Sequence, residues 1–172
     1  QYYVQNYEYI TLGGMVGSSS KQLCIWLDRI WDKYLTDGCG KPRLKVHGFG
    51  ITAVPIMERY PWYSCDSSSW IQSAAFGTVL IPQQTKASIM TPIAVSEKSP
   101  SRHDAGQHIS TLSQIEQEHV FRLLEENGFT YERLSMVYES RVAYNLWAFG
   151  VVNAIINARE NPNLLTRVQE LF

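Results

Sequence analysis

The chain has 172 residues, 45% of them hydrophobic and 12% aromatic, which is enough to build one sizeable buried core but too little for two comfortable ones. Fifteen basic and 16 acidic residues are spread along it and give a formal net charge of −1, so the charge balance does not indicate a nucleic-acid partner. The three cysteines are widely spaced and no apolar run approaches the ~18 residues of a membrane span, which favours a soluble, membrane-free protein in the reducing cytoplasm.

The first third of the chain alternates predicted strands with predicted helices. Residues Tyr7 to Leu12 are β-branched and aromatic and run into Gly13-Gly14, which predicts a buried strand followed by a tight turn. A run of serines can then cap a helix, whose apolar side chains recur every three or four residues from Leu23 to Tyr34. Glycines at positions 38 and 40 end this helix.

A second and a third strand follow. Residues Leu44 to Phe49 predict the second strand, and Ala53 to Arg59 predict a short helix that Pro61 closes. Residues Tyr63 to Cys65 predict a very short third strand, with Asp66 at its carboxyl end. The order strand, helix, strand, helix, strand is typical of a parallel sheet with helical crossovers.

The middle of the chain has a different character. Residues Gly77 to Ile81 predict one further strand, whereas 82–110 are polar, contain three prolines and predict a loop-rich excursion. Basic side chains in this excursion can reach phosphate, although a solvated loop explains them better: Arg102, His103 and His108.

The last part of the chain is predicted to be helical. Ser113 and Glu116 form a capping box for a helix that Gly128 ends. A longer apolar stripe from Leu134 to Ile156 predicts a second helix, which Pro162 stops. The predicted organisation is therefore an α/β part at 1–81, the loop-rich excursion at 82–110, and a helical region at 111–172 that packs on the first part.

Residues able to carry chemistry follow the predicted strands. In parallel β/α proteins the loops converge at the carboxyl ends of the strands, where catalytic groups lie. Here the three strands end in Gly13-Gly14, in His47-Gly48-Phe49-Gly50 and in Asp66. Glycines let a flat ligand approach backbone N–H and C=O groups closely, and a carboxylate beside them can attack an electrophilic carbon.

Each of these features also has an ordinary structural explanation. Glycine pairs after strands are usually turns, and a single histidine is usually a hydrogen-bonded core or rim residue. An aspartate followed by serines is often an Asx turn or a helix cap, and spacing alone favours that explanation for Asp66. Arg141 and Asn145 lie one turn apart on the last helix, where a structural polar network accounts for them better than a substrate contact.

Three runs of this chain resemble one family of enzymes, the tRNA-guanine (queuine and archaeosine) transglycosylases, and look closest to their phage and bacterial relatives that act on DNA. The runs are ITLGGMVG, KVHGFG and YPWYSCDSSSW, within Tyr7 to Trp70. The run RLSMVYESRVAYNLWAFGVVNAI is similar to the family's C-terminal helices. The resemblance implies the C-terminal portion of a (β/α)8 TIM-type barrel with a helical cap. Because such a barrel needs roughly 250 residues, we expect an upstream segment or a partner subunit to complete it.

The resemblance also implies a reaction. Asp66 falls on the family's nucleophile, which attacks the C1′ carbon of a nucleotide in DNA or tRNA and forms a covalent glycosyl-aspartate intermediate. The intermediate is then intercepted by a 7-deazaguanine, which replaces guanine. The transition state resembles that of retaining glycosidases, with a second carboxylate expected to take the proton of the incoming base.

The residues that would surround the base follow from the same resemblance. Gly13 and Gly14 would line the base pocket with backbone groups, and Met15 would pack or hydrogen-bond through its main chain nearby. His47 stands where the family stacks an apolar side chain on the base. Gly48 would lie beneath it.

Several family features are missing from this sequence. No SGGFQ-like run with the second aspartate is present, so acid/base catalysis is expected to come from a partner or an upstream segment. No cysteine follows Cys65, so the family's zinc ligands are missing and no cofactor is expected. Residues Ser67 to Trp70 replace the Pro-Thr-Arg segment of the tRNA enzymes, which weakens the case for an anticodon loop as substrate.

Two other functions remain open. One is a non-catalytic nucleic-acid-binding or assembly module derived from the same barrel, which the missing second aspartate favours. The other is a metal-dependent hydrolase with His47 and Asp66 as ligands. Since catalytic zinc sites usually have three protein ligands, this pair falls short of one.

Overall fold

The computed structural model describes residues 1–15, 17–51, 53–82 and 89–158. They form two compact units, the first containing Gln1–Ser68 and the described residues from Ile156 on, the second containing Ser69–Ile155. The fold is mixed α/β, as predicted. The described strands form two separate sheets and no closed barrel. Pro162, predicted to stop the last helix, lies outside the described residues.

The first unit alternates short strands and helices. In chain order they are α1 (Tyr2–Asn6), β1 (Tyr9–Leu12), α2 (Ser20–Ile30), β2 (Lys45–Gly48), α3 (Val54–Arg59) and β3 (Ser64–Cys65). Helix α2 begins at a capping box between Ser19 and Gln22, as the serine run predicted. A π-helical turn at Trp31–Leu35 continues it.

The three strands form a parallel sheet in the order β1-β2-β3, which confirms the predicted topology. Thr11 and His47 are register partners, and His47 is in turn the partner of Ser64. Because all three strands run the same way, the residues that follow them lie at one edge of the sheet. Gly13, Phe49 and Asp66 are the first residues after the strands at this carboxyl edge.

One face of this sheet packs against the helices. The buried core of the unit consists of Met15, Leu27, Trp31, Leu35, Val46, Ile51, Ile56 and Tyr60. Ile10 and Leu12 of β1 pack against this cluster with Cys65 of β3. Alternation along the strands places these side chains on one side of the sheet and their neighbours on the other.

The opposite face of the sheet is open. Tyr9 and Phe49 are 49% and 58% exposed, and Thr11 is also exposed. The prediction that Tyr7 to Leu12 form a buried strand is therefore wrong for one face. Helices of the first unit cover only the side carrying Ile10 and Leu12, whereas parallel sheets usually have both faces covered.

The second unit combines a two-stranded sheet with helices. In chain order its elements are α4 (Ser69–Ala75), β4 (Thr78–Pro82), β5 (Met90–Ala94), a 3-10 turn (Ile109–Thr111), α5 (Gln114–Glu126), α6 (Tyr131–Met136) and α7 (Tyr138–Ala158), whose last residues, from Ile156 on, belong to the first unit. The predicted capping box of Ser113 and Glu116 begins α5, and Gly128, with φ +79°, follows its end. Among the described residues, no helix has the length and apolar character that a membrane crossing requires.

Strand β5 lies inside the stretch predicted to be a loop-rich excursion. It pairs antiparallel with β4, Leu80 opposite Pro92 and Val79 opposite Ile93. Proline is uncommon in central strands because it has no N–H, which is why 82–110 were predicted to be irregular. A two-stranded sheet has only edge strands, so Pro92 fits, and Ile93 and Val95 supply buried side chains to the core.

The predicted second helix is divided in two. Val137 adopts an extended backbone (φ −107°, ψ 117°) between α6 and α7. The guanidinium of Arg141 donates to the carbonyl of Leu134 at 2.8 Å and to that of Ala74 at 2.9 Å, so the buried cation satisfies backbone groups near the break. Asn145 is fully buried and bonds three backbone groups of the same unit. Both residues form a structural polar network, as predicted.

Candidate functional site

The carboxyl edge of the parallel sheet gathers the loops that were predicted to hold the site. The N–H of Phe49 donates to the carbonyl of Leu12 at 2.8 Å, and the N–H of Asp66 donates to the carbonyl of Gly48 at 3.2 Å. These bonds continue the sheet one residue beyond each strand end. Asp66 and Gly13 therefore lie at the same end of the sheet, the geometry that the predicted site requires.

Asp66 is exposed at this edge, with its carboxylate tied to a neighbouring loop. Its Oδ1 accepts a short hydrogen bond from the backbone N–H of Gly50. One carboxylate oxygen is thus oriented by the backbone, while the residue as a whole is exposed. An exposed and oriented carboxylate can attack a carbon placed next to it.

The two glycines after β1 differ in their surroundings. A Cβ on Gly13 would lie 3.7 Å from Cβ of Phe49, an ordinary contact. Gly14 has φ +77° and open space around it, so its backbone groups are accessible to a ligand and its conformation favours glycine. The side chain of Met15 is only 5% exposed and packs into the core of the first unit, so only its main chain can take part in the site.

His47 lies on the open face of the sheet. Its Nδ1 is 2.9 Å from Oγ of Ser64, and its ring meets that of Phe49 edge to face at 5.6 Å. Because Phe49 is two residues further along, the two rings share one face, and Phe49 is the more exposed at the carboxyl edge. The structure thus offers a histidine held by a serine and a free aromatic ring beside Gly13.

Gly48 points the other way, into the core. A Cβ there would lie 2.7 Å from Cγ1 of Ile51, 3.1 Å from the Trp62 ring and 3.2 Å from Sγ of Cys65. Close packing between sheet and helices therefore explains this glycine without a ligand. Its carbonyl still serves the site, since it accepts the N–H of Asp66.

Ser64 was not predicted from the sequence, and Phe49 was named only as part of the run that ends the second strand, without a role. The signal for Phe49 was its position two residues after His47, which puts both on the same face of a strand. The signal for Ser64 exists only in the parallel register, where it is the partner of His47.

Cys65, the neighbour of Asp66, is not a competing nucleophile. Burial raises the pKa of its thiol to about 12, and the negative charge of Asp66 acts in the same direction. The thiol is therefore protonated at neutral pH, and thiolate is the reactive form of cysteine. This leaves the carboxylate of Asp66 as the candidate nucleophile at this edge.

No family model, curated protein or solved structure matches this chain. A metal centre gains no support from the structure either: in the part of the chain that it describes, no three side chains of His, Cys, Asp or Glu come together. His47 and Asp66 therefore lack the third protein ligand that a catalytic zinc site usually has.

The chemistry available at the carboxyl edge follows from three kinds of group. Gly13 and Gly14 expose backbone groups, Phe49 exposes an aromatic ring, and Asp66 exposes a carboxylate. Backbone groups and a ring suit a flat ligand with polar edges, and the carboxylate suits attack on an electrophilic carbon next to it.

Proposed function

We propose that this chain forms the nucleophile-bearing part of a base-exchange glycosyltransferase that acts on DNA or tRNA. The observation that carries the proposal is the position of the Asp66 carboxylate at the same sheet edge as the backbone of Gly13 and Gly14. Parallel β/α enzymes use this edge for catalysis. In this proposal β1, β2 and β3 are strands of a (β/α)8 TIM-type barrel.

The proposed reaction has two displacement steps at C1′. The carboxylate of Asp66 attacks C1′ as the glycosidic C–N bond of guanine breaks, and the bonding electrons leave with the base. A ring nitrogen of an incoming 7-deazaguanine then attacks the same carbon and releases Asp66 as a free carboxylate. The departing guanine nitrogen takes a proton from a general acid, and the nitrogen of the incoming base returns a proton to that same group, so that the enzyme ends in its starting state.

The predicted base-binding residues near Asp66 would each contact the base or support its binding loop. The backbone of Gly13 and Gly14 would bond the polar edge of the base, and the main chain of Met15 would support this loop. His47, held by Ser64, would stand beside the ring of Phe49, against which the base stacks.

Completion of the site is part of the proposal. The outer edges of β1 and β3 are unpaired within the described residues, and one sheet face is open. An upstream segment or a partner subunit would supply the remaining strands and bring the general base. We place the reaction in the cytoplasm and assign it no metal cofactor.

Labelled-base incorporation tests the proposal. The complete protein, with its partner if it has one, is incubated with guanine-containing DNA or tRNA and radiolabelled 7-deazaguanine. We expect incorporation by the wild type and a loss of at least about a thousandfold in Asp66→Asn, which keeps the Oδ1 acceptor but removes the nucleophile. Equal incorporation by both proteins would remove Asp66 from the role.

A non-catalytic nucleic-acid-binding or assembly module is the second candidate. The bond from the N–H of Gly50 to Asp66 favours it, because a carboxylate that ties two loops together has a structural use without any reaction. In this case neither polymer incorporates the label, yet the wild type and Asp66→Asn bind the polymer or the partner equally.

A further inference from the structure

The amino edge of the parallel sheet carries an open groove with a volume of about 850 Å³. Residues before or at the start of the three strands line it, including Tyr7, Arg43, Lys45, Trp62 and Tyr63. Tyr63 stands three residues before Asp66, roughly 10 Å along an extended chain. A base seated in the groove is therefore not the base that meets Asp66.

Exposed tyrosines dominate this groove and the surface beside it. Tyr7 and Tyr63 are 53% and 60% exposed. Tyr9 meets Tyr63 edge to face at 5.8 Å, and Tyr3 lies 6.1 Å from Tyr7. Large aromatic rings left in water on a single surface usually mark a binding site, because burying them is strongly favourable.

The lining of the groove also contains two cations, Arg43 and Lys45. Nζ of Lys45 lies 4.7 Å from the centre of the Tyr63 ring, and Nε of Arg43 donates to the carbonyl of Thr36 at 2.7 Å. Neither cation forms an ion pair with a described residue. The lining contains two basic residues and one acidic residue, Glu8, and so has a net charge of +1 in a chain whose formal charge is −1. Asp37, outside the lining, also interacts electrostatically with Arg43.

We propose that this groove binds single-stranded nucleic acid, with bases stacked on Tyr7 and Tyr63 and phosphates held by Arg43 and Lys45. Proteins that hold single strands combine a positively charged groove with aromatic rings on which bases stack. The cations can pair with phosphate groups and the rings can stack on bases, whereas a purely apolar partner would make no use of the cations. The proposal goes beyond base exchange, since it holds whether or not Asp66 is a nucleophile.

Fluorescence anisotropy of a labelled oligothymidylate of about 12 nucleotides tests it on the full chain. This probe contains no guanine, so binding is measured independently of base exchange. We expect binding at low salt with a log–log salt slope of about −1.4, from two phosphate contacts at about 0.7 each. Arg43→Ala and Lys45→Ala should each reduce the slope by about 0.7.

The rings are tested with matched variants. Tyr7→Ala and Tyr63→Ala should each weaken binding roughly tenfold, whereas Tyr63→Phe, which keeps the stacking face, should retain wild-type affinity. Lys33→Ala is the control for Lys45→Ala, because Lys33 also stands over a tyrosine ring, 5.2 Å from that of Tyr34, outside the groove lining.

Three outcomes would overturn the proposal. They are no binding at low salt, an equal loss in Lys33→Ala and Lys45→Ala, and equal competition by polyglutamate, which would indicate an acidic protein partner. The two proposals can fail separately. If the wild type performs no base exchange but Asp66→Asn binds the oligothymidylate with wild-type affinity, the proposed function is wrong and the groove proposal is supported.

Discussion

The backbone N–H of Gly50 donates to Oδ1 of Asp66, so the loop after β2 is tied to the loop after β3. The donor of this hydrogen bond is a backbone N–H, which substitution at Gly50 does not remove. The acceptor is a side chain, so replacing Asp66 changes the bond. Any effect of replacing Asp66 therefore combines a chemical part and a structural part. Two variants separate them.

Asp66→Ala should be less stable to urea than Asp66→Asn by about 1 kcal/mol, because asparagine keeps an oxygen that accepts from Gly50 and alanine does not. The exposed position of Asp66 keeps the difference small. Equal urea midpoints for the two variants would mean that the bond contributes nothing to stability. Incorporation by Asp66→Asn, compared with that by the wild type, then reports the chemical part, because this variant keeps the oxygen that accepts from Gly50.

The glycines of the carboxyl edge should respond differently to alanine. Gly48→Ala should cost about 1–3 kcal/mol, because its Cβ would overlap Ile51 at 2.7 Å inside a packed core. Gly14→Ala should cost about 1 kcal/mol for its positive φ alone. Gly13→Ala introduces neither a steric overlap nor a strained φ, so it is the control. Chemical denaturation ranks the three variants by their free energies of unfolding. A stable Gly48→Ala would show that the sheet and helices can separate at this point.

Asn145 should be the most sensitive polar residue of the second unit. Its Oδ1 accepts from the N–H of Leu80 at 2.9 Å, and its Nδ2 donates to the carbonyls of Trp70 and Thr78 at 2.9 and 3.1 Å. Asn145→Ala leaves these buried groups without their partner and should cost about 3 kcal/mol. Leu146→Ala, at the exposed neighbouring position of α7, is the control and should change the free energy of unfolding little.

The phenol of Tyr60 should give the first unit a pH dependence. Its hydroxyl donates to Oδ1 of Asp28 at 2.8 Å, and Asp28 also pairs with Arg59. Burial, and to a smaller extent this hydrogen bond, raises the pKa of the Tyr60 phenol far above its ordinary value of 10.0. Near neutral pH, Tyr60→Phe should lose about 1–2 kcal/mol of stability.

Above pH 10 the unfolded phenol ionises while the folded one does not, so the contribution of Tyr60 is present below pH 10 and lost as the pH rises further. The difference between the wild type and Tyr60→Phe should therefore shrink above pH 10. Urea titrations across this range measure it. A difference that grows with pH would contradict the direction of the shift.

Local patterns along the chain were sufficient to predict most of the helices and strands. The cap at Ser19, the capping box of Ser113 and the end of α5 near Gly128 depend on residues within one helical turn, where hydrogen bonds to the backbone are made. The alternation of strands and helices in residues 1–68 likewise predicted a parallel sheet, and with it the common edge of Gly13 and Asp66.

Two features that the sequence did not predict depend on contacts between residues far apart in the chain. Strand β5 exists because its backbone pairs with β4, although Pro92 argues against a strand locally. The break at Val137 accompanies a buried Arg141 that bonds carbonyls as distant in the chain as that of Ala74. Neither contact lies within the span of a local pattern.

By itself the sequence determined most of the strands and helices, and which residues follow the three parallel strands, because these depend on side-chain periodicity and on caps within a turn. Only the tertiary structure decided that Gly48 faces the core and Phe49 the open edge, that Ser64 holds His47, and that tyrosines and cations meet at the amino edge. Those relationships depend on the register between strands and on which sheet face the helices cover, and both are set by contacts between residues far apart in the chain.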